Sequence, residues 1–300
     1  ESGRIFPVTN QAASVLKVLE MELERLKVAV DLGCEVKAVW PHKAGFEVCA
    51  KTGEKESCKK VILCAGGKSY PALGADGNGY ALAAAFRHKI LEPVPSTVPL
   101  LVKDPCCHFL QGQKVRANVS SLIRGKKVRE ASAELLFTQY GLSGTAVLDV
   151  SDEISVAMNR EHRKDVAVVA DLVPFMSETE LTEELSRRFK KDMAPENLLE
   201  GLLTHKFFLA FRSQVQNADA SSIARLLKHK EFKVNGTRGW NEAEFTAGGV
   251  PADEVEPLTL ESEYQPGLYF AGEILDVQGR RGGYNLAWAW ASGAVAGDKV

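Results

Sequence analysis

Residues 11–31 set Val15, Leu16, Leu19, Leu23, Leu26 and Val30 at helical spacing among Lys and Glu. That period predicts an amphipathic helix. The pattern then shortens. Cys34 to Val39, Gly45 to Ala50 and Lys60 to Ala65 read as strands, broken by Pro41-His42-Lys43-Ala44 and by Thr52-Gly53. The third is apolar from Val61 to Ala65 and ends in Gly66-Gly67, as expected of a strand buried on both faces of a central sheet.

A small helix near 77–88 leads to Pro93, Pro95 and Pro99, which mark a domain crossover. Between 97 and 175, short strand-like stretches alternate with turns: Leu100–Val102, Lys114–Val119, Lys127-Val128, Ala133–Thr138 and Val166–Val169. They predict a small all-β unit. From 177 to 230 the period becomes helical. Ser177-Glu178-Thr179-Glu180 has the form of a capping box, with Leu181, Leu185 and Phe189 on one face behind it. Pro195 opens a second expected helix with Leu198, Leu199, Leu202 and Leu203 as its stripe, and a third covers 219–229. Strands return at Glu244. Gly267 to Gly272 reads as a turn and a buried strand, and Leu286 to Ala296 as a helix preceded by Gly282-Gly283-Tyr284-Asn285.

Composition narrows the function without naming it. The 300 residues are 45% hydrophobic and 25% charged with net charge −2, which gives no electrostatic pull toward nucleic acid or anionic membrane. No apolar run reaches the roughly 20 residues of a membrane span. Six cysteines without a C-x-x-C pair, in a chain long enough to build its own core, predict reduced thiols and a cytoplasmic protein. Cys106-Cys107-His108 is the one thiol–imidazole cluster, and no metal site is expected there, because adjacent residues on an extended chain point apart. The first residues show neither an initiator Met nor a signal peptide.

Two glycine-rich strand ends carry the candidate chemistry. An apolar strand ending in Gly-Gly lets a ligand approach the backbone, and in open α/β sheets such ends form the ligand crevice. The helix start near 283 adds free amides and a partial positive charge suited to an anionic group.

In that order, several stretches carry a resemblance. They are Gly3 to Pro7, Cys64 to Pro71, Asp76 to Tyr80, Leu136 to Gly144, Phe245 to Val250, and Gly267 to Val277 continuing to Asn285. The chain resembles, close to end to end, the HI0933-like (BaiN-like) family of NAD(P)/FAD-dependent oxidoreductases. The resemblance implies an α/β fold: a discontinuous Rossmann-like FAD-binding domain with a small β-barrel insert and a helical insert. Its parts would be 1–96 and 246–300 for FAD, 97–176 with 231–245 for the barrel, and 177–230 for the helices. It implies FAD as cofactor, with NAD(P)H as a candidate reductant. Val36 would lie at the adenine end and Ala65, Gly66 and Gly67 along the dinucleotide. Gly272, Glu273 and Asp276 would follow the ribityl and pyrophosphate, while Gly282, Gly283, Tyr284, Asn285 and Leu286 would face the flavin ring. Arg4 to Pro7 is a further candidate to approach the flavin, with a plain loop as its alternative.

The chain departs from the family pattern. The opening strand, G-x-G-x-x-G loop, helix and ribose-binding acid are absent, so this chain is expected to be an FAD-free, inactive form. Gln139 stands where the family pattern has His, Thr145 where it has Pro, and Ala287 where it has Gln. Catalytic residues stay unassigned, because a flavin performs redox chemistry itself. Tyr140, Arg280 and Arg281 are candidates to meet substrate, each with a structural alternative. The implied activity is oxidation of an amine or reduction of a conjugated double bond in a small organic molecule, with neither nucleic acid nor membrane as partner. The alternatives are an RNA-modifying flavoprotein, suggested by Arg187, Arg188, Lys190 and Lys191 on one helix, and a cofactor-free scaffold.

Overall fold

The computed structural model describes residues 3 and 5–300. Helix α1 (Ala12–Leu26) forms over most of the expected 11–31 but is closed by Lys27 in the left-handed region, which leaves Val30 beyond it. None of its residues is buried, so the apolar stripe meets no partner among the described residues. Strands β1 (Val36–His42), β2 (Gly45–Ala50) and β3 (Lys55–Cys58) form an antiparallel sheet. Pro41 does not end β1 as its residue type suggested. The strand runs on to His42 at the sheet edge, where the proline's missing N–H costs no ladder bond. Strand β3, too polar to show an apolar period, was not expected.

Strand β4 (Val61–Leu63) leads to α2 (Asn78–Ala85) and β5 (Leu91–Ser96). Next come β6 (Leu100–Val102), α3 (Pro105–Phe109), β7 (Lys114–Ile123), β8 (Lys126–Thr138), β9 (Gly141–Ser143), α4 (Thr145–Leu148) and α5 (Ser151–Ser155). A π-helical turn, Val156–Arg160, follows directly, and then β10 (Val166–Asp171). Four helices stand between β10 and the next strand: α6 (Glu178–Lys190), α7 (His205–Ala210), α8 (Arg212–Val215) and α9 (Ala220–Lys228). Strands β11 (Lys230–Thr237), β12 (Phe245–Gly249) and β13 (Leu268–Phe270) precede the terminal helix α10 (Tyr284–Gly297).

Six strands close a barrel in the order β10-β11-β6-β9-β8-β7. Its interior follows the strand period: Val166, Val168 and Ala170 are buried while their neighbours are only half-buried. Phe137 and Phe232 meet edge to face inside it, and Phe137 also meets Phe207 from α7. Leu181, Leu185, Ile223 and Leu227 extend the same core into the helices. The capping box forms, with Ser177 Oγ accepting from the Glu180 amide and Glu180 accepting from the Ser177 amide. The helix expected from Pro195 is instead a three-residue 3-10 turn. Leu198, Leu199 and Leu203 are buried as expected, so the stripe marked burial correctly but not the backbone.

A second core lies around β4, β13 and α2, with Leu63, Leu268, Phe270, Ile274 and Phe86. Strand β4 pairs in parallel with β13, and its Val61 and Ile62 are only half-buried, less than the all-apolar run suggested. A two-stranded antiparallel ribbon, β5 with β12, joins the two halves of the molecule. The crossover beyond it is pinned by Asp152, whose Oδ1 accepts from Ser96 Oγ, Thr97 N and Thr97 Oγ1 at 2.8–2.9 Å.

Candidate functional site

The parallel register fixes the site. Leu268 lies opposite Val61 and Phe270 opposite Leu63, so Ala65-Gly66-Gly67 and Gly272-Glu273 leave the same end of the pair. The Ala271 amide donates to Leu63 O at 3.1 Å and holds the two exits together. Strand β12 supplies a third wall. Thr246 Oγ1 accepts from the Lys68 amide at 2.8 Å and lies 3.2 Å from Ser69 Oγ, while the Thr246 amide donates to the Glu273 carboxylate. Gly67 sits so close under this wall that a Cβ there would lie 2.2 Å from Thr246 Oγ1. Gly66 is the opposite case: φ is +68° and nothing comes within 4 Å of a built Cβ, so its backbone faces open space.

Asp276 continues the wall. Its Oδ1 accepts from the Gly248 amide at 2.8 Å and from Gln278 Nε2 at 2.9 Å. Burial pushes the Glu273 carboxyl up against the opposing pull of Thr246. Tyr80, on α2, packs its ring against Gly249, and its buried hydroxyl finds no partner among the described residues. Burial first, then Glu273 and Asp276, push that phenol up, so it stays a protonated donor.

Helix α10 docks on the same strand exit. The Gly272 amide donates to Ser292 Oγ at 2.9 Å, and Trp288 Nε1 donates to Gly272 O at 3.1 Å. Its N-cap, Gly283, has φ +96° and offers no capping side chain, which leaves first-turn amides available. Tyr284 and Leu286 are exposed at this tip. The Asn285 side chain instead braces the preceding loop, accepting from Gly279 N at 2.8 Å and donating to Gly279 O at 3.0 Å. Gly282, also at positive φ, belongs to that loop. Val36 and Ala65 line a separate cleft of about 300 Å³ with Glu35, Leu63, Asn78 and Leu82.

The substrate-side candidates separate. Arg281 is a strut between Glu244 (2.8 Å) and Asp149 (3.5 Å). Arg280 is exposed and lines a cleft of about 530 Å³ with Arg129, Glu153, Ala157 and Gln278. Tyr140 lies under the Arg238 guanidinium, 4.8 Å from its ring centre. Arg4 lies outside the described residues, and Ile5 and Phe6 are exposed ahead of α1. In the basic cluster, Arg187 and Arg188 both bind Glu184, and Arg188 also donates to the carbonyls of Leu198 and Glu200. No metal-holding cluster occurs among the described residues, where Cys106 and Cys107 are buried in α3.

Sequence reasoning missed Thr246, Ser292, Trp288 and Tyr80. Thr246 and Tyr80 lie inside stretches that carried the resemblance, but their roles depend on long-range approach that no local period encodes.

A family model of the HI0933-like protein Rossmann domain matches residues 1–299. The chain belongs to the HI0933-like family. A 3-dehydro-bile acid delta(4,6)-reductase of Clostridium scindens is 36% identical over 98% of this chain and 75% of its own length. A ribosomal RNA dihydrouridine synthase of Escherichia coli is 32% identical over 99% and 74%. One of the same description from Haemophilus influenzae is 32% identical over 97% and 73%. Family members therefore share a Rossmann-type domain, which in this chain carries a closed six-stranded barrel. No helix among the described residues is long and apolar enough to cross a membrane.

Proposed function

We propose that the protein is an FAD-dependent reductase that adds hydrogen across a conjugated carbon–carbon double bond. The observation that carries this reading is the meeting of three backbone-rich elements at one end of the β4–β13 pair, with helix α10 packed on Gly272 through Trp288 and Ser292. The residues fit a dinucleotide. Gly66 offers open backbone, Glu273 and Asp276 are oriented by amides, and the first turn of α10 has no capping side chain. A flavin held there supplies hydride transfer, and a helix N-terminus favours the negative charge of its reduced form. Gly272, Glu273 and Asp276 would hold the chain of the cofactor, and Gly283 to Leu286 its ring.

The relatives support the direction of the chemistry. A delta(4,6)-reductase and a dihydrouridine synthase share, in their names, the saturation of a double bond. Amine oxidation has no such support. A small conjugated ketone is the acceptor we favour, since two of the four residues in the basic helix cluster are engaged within the protein. A uracil base in RNA is the second reading, favoured by two relatives. The test is a flavin spectrum. The protein with FAD should be bleached anaerobically by NAD(P)H and recover its colour when a conjugated enone is added. Peroxide release on adding an amine, without enone turnover, refutes the reductase reading. Recovery only with uridine-containing RNA, lost steeply with salt, selects the second.

A further inference from the structure

The π-helical turn between α5 and β10 ends in Arg160, whose side chain leaves the barrel half and enters the ribbon that joins it to the cofactor half. There the pairing slips. Ala247 faces Val94 but Gly249 faces Leu91, so two residues of β5, Glu92 and Pro93, bulge opposite Gly248 and break the ladder there. A break of this kind strands backbone carbonyls. Arg160 meets two of them: Nε donates to Glu92 O and Nη2 to Ala247 O, both at 2.8 Å. Gly248 is shaped to this guest, with φ +109° and room for no side chain, since a Cβ would lie 2.7 Å from Arg160 Nη2 and 2.7 Å from Glu92 O. The bulge turns the Gly248 amide away from the ribbon and onto Asp276 Oδ1 at 2.8 Å. Val156 and Ala157 of the same π-helical turn line the cleft of about 530 Å³ beside Gln278, whose side chain donates to Asp276 alongside the Gly248 amide.

We propose that Arg160 is a positioning residue that holds Asp276 in its cofactor-binding orientation through the Gly248 bulge, and so ties the barrel-side cleft to cofactor affinity. This rests on the flavin reading in one respect only, the identity of what Asp276 contacts. A guanidinium suits this place because Nε and Nη2 of its rigid planar fork reach two separate carbonyls, a spacing that the single ammonium of a lysine does not reproduce. π-Turns recur at functional positions, and here the turn aims one end residue at the cofactor wall while its earlier residues face the cleft.

Two measurements decide it. In Arg160→Met, amide exchange in a peptide covering 245–250 should rise about tenfold or more, while β7 and β8 peptides stay unchanged, because the ribbon opens locally. FAD affinity, read by quenching of flavin fluorescence, should fall about tenfold in Arg160→Met, the worth of roughly one charge-assisted hydrogen bond. In an Asp276→Asn background the same substitution should cost less than about threefold, because two residues acting in series are not additive. Arg160→Lys should recover only part of the loss. Unchanged exchange at 245–250 overturns the proposal, as does a loss of affinity that is fully additive with Asp276→Asn. A wild-type protein that binds no FAD refutes the flavin reading, and the exchange measurement then still decides whether Arg160 holds the bulge.

Discussion

A methyl group at position 67 tests the packing of the site most directly. In Gly67→Ala the new carbon would lie 2.2 Å from Thr246 Oγ1, 2.7 Å from Thr246 Cβ and 2.9 Å from Glu273 Oε1. Thr246 is buried and cannot step aside without releasing the Lys68 amide, and its own amide is committed to Glu273. Overpacking of this kind costs about 1–3 kcal/mol, and one lost hydrogen bond adds about 1, giving roughly 2–4 kcal/mol. Gly66→Ala is the control. It meets nothing within 4 Å and bears only the left-handed penalty at φ +68°. That penalty is about 1–2 kcal/mol. Urea unfolding of both variants, with unchanged slope, should rank Gly67→Ala as the more costly. Thr246→Ala removes the nearest clashing atom, so the double variant should cost at least about 0.5 kcal/mol less than the sum. A Gly67→Ala protein as stable as Gly66→Ala would show that the Thr246 wall is not as close as described.

Other expectations follow from individual contacts. The folded Glu273 carboxyl is raised above its ordinary 4.5, so the native state binds the proton more readily and stability falls as pH rises above that value. Glu273→Gln should therefore be neutral or stabilising at pH 8 and lose that advantage near pH 4, read from thermal melts. His88 is buried between Glu254 (3.1 Å) and Ser262 (2.7 Å), and burial holds it below the ordinary 6.5. The unfolded chain then takes up the proton first. Stability should drop as pH falls below 6.5, and His88→Gln should flatten that slope. Ser177→Ala should cost about 1 kcal/mol through the lost cap, without changing FAD affinity. Asp152→Ala leaves Ser96 and the left-handed, fully buried Thr97 without their acceptor. It should cost about 2–4 kcal/mol in urea unfolding.

What the chain made legible followed local periods. Helices α6 and α9 carry a cap and form within a few residues of their expected bounds, α10 follows its Gly282-Gly283 punctuation, and α1 keeps its stripe but ends at Leu26, short of the expected 31. Short elements failed for opposite reasons. Strand β3 is Lys-Glu-Ser-Cys, with no apolar period, and exists because β2 offers it an edge. Leu198, Leu199 and Leu203 kept their burial without a helix, since tertiary packing needs the side chains inside but not a fixed backbone. At the site, the glycines at 66, 67 and 283 could be read from their punctuation. The clamp of Thr246 on Gly67 joins residues 179 positions apart in sequence and becomes visible only once β12 is placed. The same holds for Arg281, whose two carboxylates come from the barrel side and from the start of β12.

The ribbon of β5 and β12 sets Ser96 opposite Phe245, so the outgoing and returning chains are hydrogen-bonded neighbours. Everything between those two residues hangs from one doorway a single strand spacing wide. A tight hairpin could close that doorway without tearing the remaining sheet, and a different module could be spliced into it as readily. Selection can therefore exchange the inserted half while the half built on β4 and β13 is inherited intact. A single family can in this way keep one frame among relatives named for a bile acid and for ribosomal RNA.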